Sequence, residues 1–460
     1  MTGLTRSIKT KIIQGLKPTT AYEKNERKFI LSVIKRIKKE IPKTKVILAG
    51  SFAKGTFLND DKDIDIFVLF KHNQKEEKMK KLVFAAVKNT FPNAIFKIAY
   101  AQHPYVRILS EGRKIDVVPG YEVSKISSKF KSAVDRSLLH CKYILSKMSK
   151  KQKDEVRLLK KFLKINFLYG AEIKVQGFSG YLCELLILRY GTFEKTMDAI
   201  AKWKEHTLID LRNKKGEDGV KKREALAKFK TPLIVIDPID ANRNVSANVS
   251  KESYNAIIAC ARAFLRSNDE LAFFTERTLT DLQLTDFLKT KNIYCISFAA
   301  PNIVDDVLWG QIRRFYSALR TAMEKEGFKI IGYKMDKLNN KVYILLELFK
   351  DKLSQTKILQ GPPLKFAGEC KKFSFKYKNV FIKNARLVAK IKRHARTFEE
   401  FFSMKINEIS LPSHLNSAKN AKIYRNAKII KYCKEVLQQY FLWNIYSVFS
   451  RFWAREDSNL

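Results

Sequence analysis

A multidomain α+β protein is what these 460 residues predict, on three observations. Short β-branched and aromatic runs crowd the first 135 residues, helical periodicity dominates 136–265, and a strand, helix, hairpin order returns between 292 and 348. Length argues the same way, because a single hydrophobic core stops growing well before this size and a prior of ~150 residues per domain gives three or four.

Residues 22–40 carry apolar side chains at three- and four-residue spacing and stop before Pro42, which reads as a helix. Five strands are expected next, at 46–49, 64–70, 94–98, 105–109 and 114–118, with Glu111-Gly112 turning between the last two. Residues 1–135 therefore form a small mixed α/β domain, the head. In the helical neck, 136–265, the run VRLLKKFLKINFLYG puts Leu159, Phe162, Leu163 and Asn166 on one face and Arg157, Lys160, Lys161 and Lys164 on another, and a solvated face is the plainer alternative for Lys160 and Lys161. Residues 266–363 form the body: strand IYCISFA, helix Trp309 to Glu326, strand Lys329 to Leu338, an Asn339-Asn340 turn and strand KVYILLEL make a ferredoxin-like half. Gly361-Pro362-Pro363 marks a boundary, and 364–460 is a basic tail, the last hundred residues holding 20 Lys/Arg against 7 Asp/Glu. Its final stretch, VLQQYFLWNIYSVFSRFW, is broken by polar residues and has a thin basic face, so it is expected in core or homodimer packing rather than on a membrane.

Composition narrows the function. The apolar fraction of 45% with no run of ~18 apolar residues disfavours both disorder and a membrane span. The amino-terminal stretch lacks the apolar block of a secretory signal, and cytoplasmic residence is expected. Six cysteines lie far apart with no C-x-x-C pair, which reads as reduced, buried thiols. The formal charge of +43 attracts polyanions and implies a nucleic-acid partner.

Residues 50–70, GSFAKGTFLNDDKDIDIFVLF, carry the chemistry. Asp63 and Asp65 alternate with Ile64 and Ile66, so on a strand both carboxylates face one way and the isoleucines enter the core. Side-by-side carboxylates on a rigid strand repel unless cations neutralise them, and hard oxygen ligands suit Mg²⁺. Asp116, in KIDVVPG, is the candidate third carboxylate on the same sheet face. Upstream, Gly50-Ser51 follows a strand and opens a helical turn, a place where backbone N–H groups and the Ser51 hydroxyl cradle a triphosphate, with Lys54 beside it.

That order of strand, Gly-Ser turn, helical turn and carboxylate-bearing strand resembles the polymerase β type nucleotidyltransferase superfamily. HPYVR (103–107), AVDRS (133–137), the Lys160 helix, YGAEIKVQGFSGYLCELL (169–186) and DPIDANRNVSANVS (237–250) narrow the resemblance to the archaeal-type, class I CCA-adding enzymes, over residues 1 to about 400. The sequence departs from the family where Ser137-Leu138 replaces Thr-Pro and Phe57 replaces tryptophan. The resemblance implies that Asp63, Asp65 and Asp116 hold two Mg²⁺ ions. It implies that Gly50, Ser51, Lys54, His140, Lys160 and Tyr169 contact the incoming nucleotide and that Arg243 reads its base. ATP and CTP are then the substrates, and the acceptor arm and elbow of tRNA the partner. Physically, cytosine N3 and adenine N1 are acceptors that a guanidinium satisfies, whereas uracil N3 and guanine N1 carry opposing hydrogens. The rival readings are a poly(A) polymerase or another RNA-tailing enzyme with the same head, and a non-catalytic RNA-binding protein retaining it.

Overall fold

The computed structural model describes residues 4–61, 63–71, 74–100, 104–122, 133–212 and 219–444. The chain divides between Glu276 and Arg277 into two compact units. The expected head and neck are thus one unit, and its limit falls at Glu276 rather than at 265.

The first unit opens with helix α1 (Arg6–Leu16) and α2 (Thr20–Glu40), whose start is capped by the Thr19 side chain and whose last turn carries Lys38 and Lys39. Then come β1 (Lys45–Leu48), the short α3 (Gly50–Lys54), β2 (Asp63–Phe70), α4 (Glu76–Thr90), β3 (Ile95–Tyr100), β4 (Pro104–Ser110) and β5 (Arg113–Tyr121). All five expected strands are present and form one sheet in the order β1-β2-β5-β4-β3, with β2 and β5 parallel and the other pairs antiparallel. One face is aliphatic: Ile64, Ile66, Val68, Ile108, Ile115 and Val117 pack with α2 and α4. Burying each such side chain is worth about 1.5–3 kcal/mol, which fixes the register and forces the alternate residues, Asp63 and Asp65, to the other face.

The rest of this unit is mostly helical, as expected: α5 (Ala133–Lys147), α6 (Lys150–Ile165), α7 (Gly180–Tyr190), α8 (Phe193–Ala201), α9 (Gly219–Phe229) and α10 (Lys251–Arg266). Two short strands not foreseen, β6 (Thr207–Asp210) and β7 (Leu233–Ile236), pair in parallel. In α6 the solvated-face alternative does not hold at Lys160. Arg157 and Lys160 are buried, because backbone carbonyls of residues 55–57 accept their hydrogen bonds and replace water.

The second unit holds α11 (Asp281–Thr290), β8 (Asn292–Ala299), α12 (Asp305–Glu326), β9 (Ile330–Leu338) and β10 (Lys341–Leu348). The Asn339-Asn340 turn has positive φ at both residues, the geometry a two-residue hairpin requires. Next are β11 (Thr356–Pro363), α13 (Ala367–Lys376), β12 (Val380–Lys383), β13 (Arg386–Lys392), α14 (Phe398–Lys405), β14 (Lys422–Arg425) and α15 (Ala427–Asn444). The ferredoxin-like reading holds, and β14 completes an antiparallel sheet in the order β14-β8-β10-β9. No boundary lies at 363: Gly361-Pro362-Pro363 sits inside β11, which pairs with β13, so body and tail share their sheets. Val436, Leu437, Tyr440 and Phe441 of α15 are buried, which places that part of the terminal stretch in a core; 445–453 lie outside the described residues. All six cysteines are free, and only Cys370 is not buried. Among the described residues no helix is long and apolar enough to cross a membrane.

Candidate active site

Asp65 on β2 and Asp116 on β5 are partners in register, and Asp63 pairs with Lys114 one step along the sheet. The three aspartates therefore share the face opposite the aliphatic core. Gly50, at φ +65°, closes the turn after β1, and a Cβ built there would lie 1.7 Å from Asp65 Oδ2. Only glycine lets the phosphate-type turn and this carboxylate approach so closely. Burial, and then the charges of Asp116 and Asp63, push the Asp65 carboxyl up to about 6, while Lys54 pulls the other way. The face thus carries more negative charge than it neutralises.

Asp116 accepts two hydrogen bonds from Arg107, its neighbour on β4, at 2.8 Å each, and Asp63 is ion-paired with Lys114. Among the described residues no three His, Cys, Asp or Glu side chains are gathered into a metal-ligand set as they stand. The expected convergence is therefore one of strand register and facing, with two of the carboxylates held by side-chain cations. In kind the donors fit a hard divalent cation: three carboxylates on one face, one with its proton affinity raised by burial and then by the other two.

A cleft of about 390 Å³ opens beside this face. Ser51, Lys54, Asp63, Asp65, Lys160 and Tyr169 line it, as do residues the sequence reading passed over: Asp61, Lys164, Tyr181 and Glu184. Lys54 and Lys160 are enclosed in its wall, Lys54 Nζ lying 2.6 Å from Glu184 Oε2 and Lys160 Nζ donating to the Thr56 carbonyl at 3.0 Å. Burial pushes the Lys160 ammonium below its ordinary pKa, with Glu184 opposing and Lys54 reinforcing. The signal for Glu184 was present in the sequence: a carboxylate inside the apolar run YLCELLIL of a helix has to find buried partners.

His140 and Arg243 are brought together on one buried acceptor and do not line the cleft themselves. His140 Nε2 lies 2.7 Å and Arg243 Nη1 2.8 Å from Asp237 Oδ2, while Tyr181 and the Ile239 N–H donate to Oδ1. Burial acts to raise the Asp237 carboxyl, but His140, Ile239 and Arg243 outweigh it and hold it at about 2. The His140 ring stacks on Tyr181 at 4.0 Å, so this cluster adjoins the cleft through Tyr181. The histidine's own pKa is lowered by burial, against the pull of Asp237. His103 and residues 133–135, parts of the HPYVR and AVDRS motifs, lie outside what the structure describes in side-chain detail.

A sheet face of aspartates beside a Gly-Ser turn defines the nucleotidyltransferase class, and residues 30–151 match the family description "Nucleotidyltransferase domain". Residues 154–275 match "tRNA nucleotidyltransferase, second domain" and 289–426 match "CCA-adding enzyme, C-terminal domain". The CCA-adding enzyme of Methanocaldococcus jannaschii is 34% identical over 401 residues, 85% of this chain and 86% of that protein. That of Thermoplasma volcanium is 34% identical over 400 residues, 86% and 87%, and that of Thermoplasma acidophilum 38% over 322, 70% of each. The chain belongs to the CCA-adding enzyme family. Nucleotidyltransferases of this kind work with a divalent metal and nucleoside triphosphates.

Proposed function

We propose that this protein extends the 3′ end of tRNA without a template, adding C, C and A from CTP and ATP and releasing pyrophosphate. The observation that carries the reading is the face shared by Asp63, Asp65 and Asp116 against the Gly50-Ser51 turn. The charge of +43 accords with an RNA partner, gripped at the acceptor arm and elbow, with residues 364–460 as a second hold on phosphate.

Asp63, Asp65 and Asp116 would hold two Mg²⁺ ions, exchanging Lys114 and Arg107 for them. Such ions lower the pKa of the RNA 3′-hydroxyl and offset charge on the phosphates. The chain's own groups position the reactants. Gly50 and Ser51 bind the triphosphate at the turn, Lys54 and Lys160 counter its charge, and Tyr169 helps close the cleft to water. The 3′-oxygen then forms its bond to the α-phosphorus as the bond to pyrophosphate breaks in line. Arg243, oriented by Asp237 with His140 and Tyr181, donates to cytosine N3 or adenine N1, and the growing RNA end selects between them through pocket size.

The test is incubation of tRNA lacking CCA with each nucleotide alone and with mixed CTP and ATP, followed by sequencing. Two C additions from CTP, a single terminal A once ATP is present, and nothing from UTP or GTP are expected. Long A tails would mean a poly(A) polymerase, and no extension at all a non-catalytic RNA-binding protein.

A further inference from the structure

Glu184 has no part in the scheme above, yet it lines the cleft and is fully buried. Its Oε2 accepts from Lys54 Nζ at 2.6 Å and its Oε1 from Thr56 Oγ1 at 2.7 Å. Around it Lys160 donates to the Thr56 carbonyl at 3.0 Å, and Arg157 donates to the Phe57 and Gly55 carbonyls at 2.9 and 2.7 Å. Three side chains of α6 and α7 thus hold residues 54–57, the segment that directly follows the Gly50-Ser51 turn.

We propose that Glu184 is a positioning residue for triphosphate binding: by tying Lys54 and Thr56 to α7, it fixes the Lys54 ammonium in the wall of the cleft. The proposal rests on the nucleotidyl-transfer reading. An ammonium enclosed this far has given up much of its water, and without a nearby anion to hold it the side chain swings away. A carboxylate uses one of the three ammonium N–H groups and leaves the others for phosphate. Lys160 is a second enclosed ammonium in the same wall, so the cleft offers phosphate two ammonium groups beside its carboxylates. A triphosphate has oxygens enough for both, whereas a nucleoside monophosphate reaches less of them. Glu184 acts through Lys54, so their contributions are not additive.

The measurement is nucleotide binding by calorimetry on the full chain, with wild type, Glu184→Gln, Lys54→Met and the double variant, using ATP and AMP. Glu184→Gln is expected to weaken ATP about tenfold, as lost ion-pair positioning does, with AMP affinity moving far less. In the Lys54→Met background the same substitution is expected to have little further effect. In steady-state transfer assays the loss falls on KM for the triphosphate rather than on kcat. Unchanged or tighter ATP binding overturns the proposal, the latter by showing that Glu184 competes with phosphate for Lys54. An undiminished effect in the Lys54→Met background overturns it too. If Glu184→Gln does not fold, Glu184→Asp, which keeps the charge but retracts it by one methylene, decides the matter by the same ATP-to-AMP comparison. Wild type that binds ATP but transfers no nucleotide refutes the parent reading alone, since the binding arms are read without turnover.

Discussion

Two aspartates in the first unit, Asp237 buried and Asp65 half-buried at the cleft, are pushed in opposite directions. Asp65 has other carboxylates for neighbours and is raised to about 6, whereas Asp237 is ringed by His140, Arg243, Tyr181 and a backbone N–H and is held at about 2. Burial penalises the charge on both, so what separates them is the supply of donors. Asp237 has its donors within the protein, and Asp65 is the one for which a cation from outside is proposed. In the proposed function the aspartate supplied with donors orients Arg243, and the one without them belongs to the metal-holding face.

The largest expected consequence is that Asp65→Asn cuts nucleotidyl transfer by about 10³-fold or more, the scale of a lost metal-ligand role, while its Tm stays level or rises because repulsion is relieved. A fall in both would remove the contrast. Gly50→Ala forces a methyl onto Asp65 Oδ2 at a backbone of φ +65°, and a drop in kcat of about 10²-fold is expected from the displaced carboxylate, with a destabilisation of about 1 kcal/mol from the strained φ. Asp237→Asn is expected to act the other way round, costing about 1–3 kcal/mol of unfolding free energy in a urea titration because His140, Arg243 and the Ile239 N–H lose the carboxylate they share. If its Tm matched wild type, the donors around Asp237 would not be what orders that cluster.

The smallest effect is in the acid limb of stability. Asp237 is depressed, so its contribution is complete above about pH 4, the unfolded value, and is lost as pH falls toward about 2. Asp65 is raised, so the folded protein holds the extra proton and stability declines as pH rises from about 4 through about 6. Tm against pH should therefore fall between those last two values in wild type, and Asp65→Asn should remove that slope.

Much of the catalytic face was legible in the sequence because it depends on local rules. Strand alternation put Asp63 and Asp65 together, and the apolar flanks of Asp116 placed it on a second strand whose register the structure supplies. The wall of the cleft was harder to see. The burial of Lys160 and Arg157 was not legible because a helix pattern says nothing of carbonyls arriving from residues 55–57, about a hundred positions away. A separation of 130 residues likewise hid the bond that Lys54 donates to Glu184. In the second unit the Gly-Pro-Pro signal at 361–363 marked an irregularity in β11, where the pairing register shifts, rather than the end of a domain. Likewise β14, four residues long, gave no sign that it would close a sheet begun at Asn292.

Asp63, Asp65 and Asp116 are proposed to form a face that needs a divalent cation. Mn²⁺ titration followed by electron paramagnetic resonance, with a non-hydrolysable ATP analogue present, tests it directly. Wild type is expected to bind two ions per chain and Asp65→Asn to lose at least one of them; full retention of both by Asp65→Asn would contradict the account.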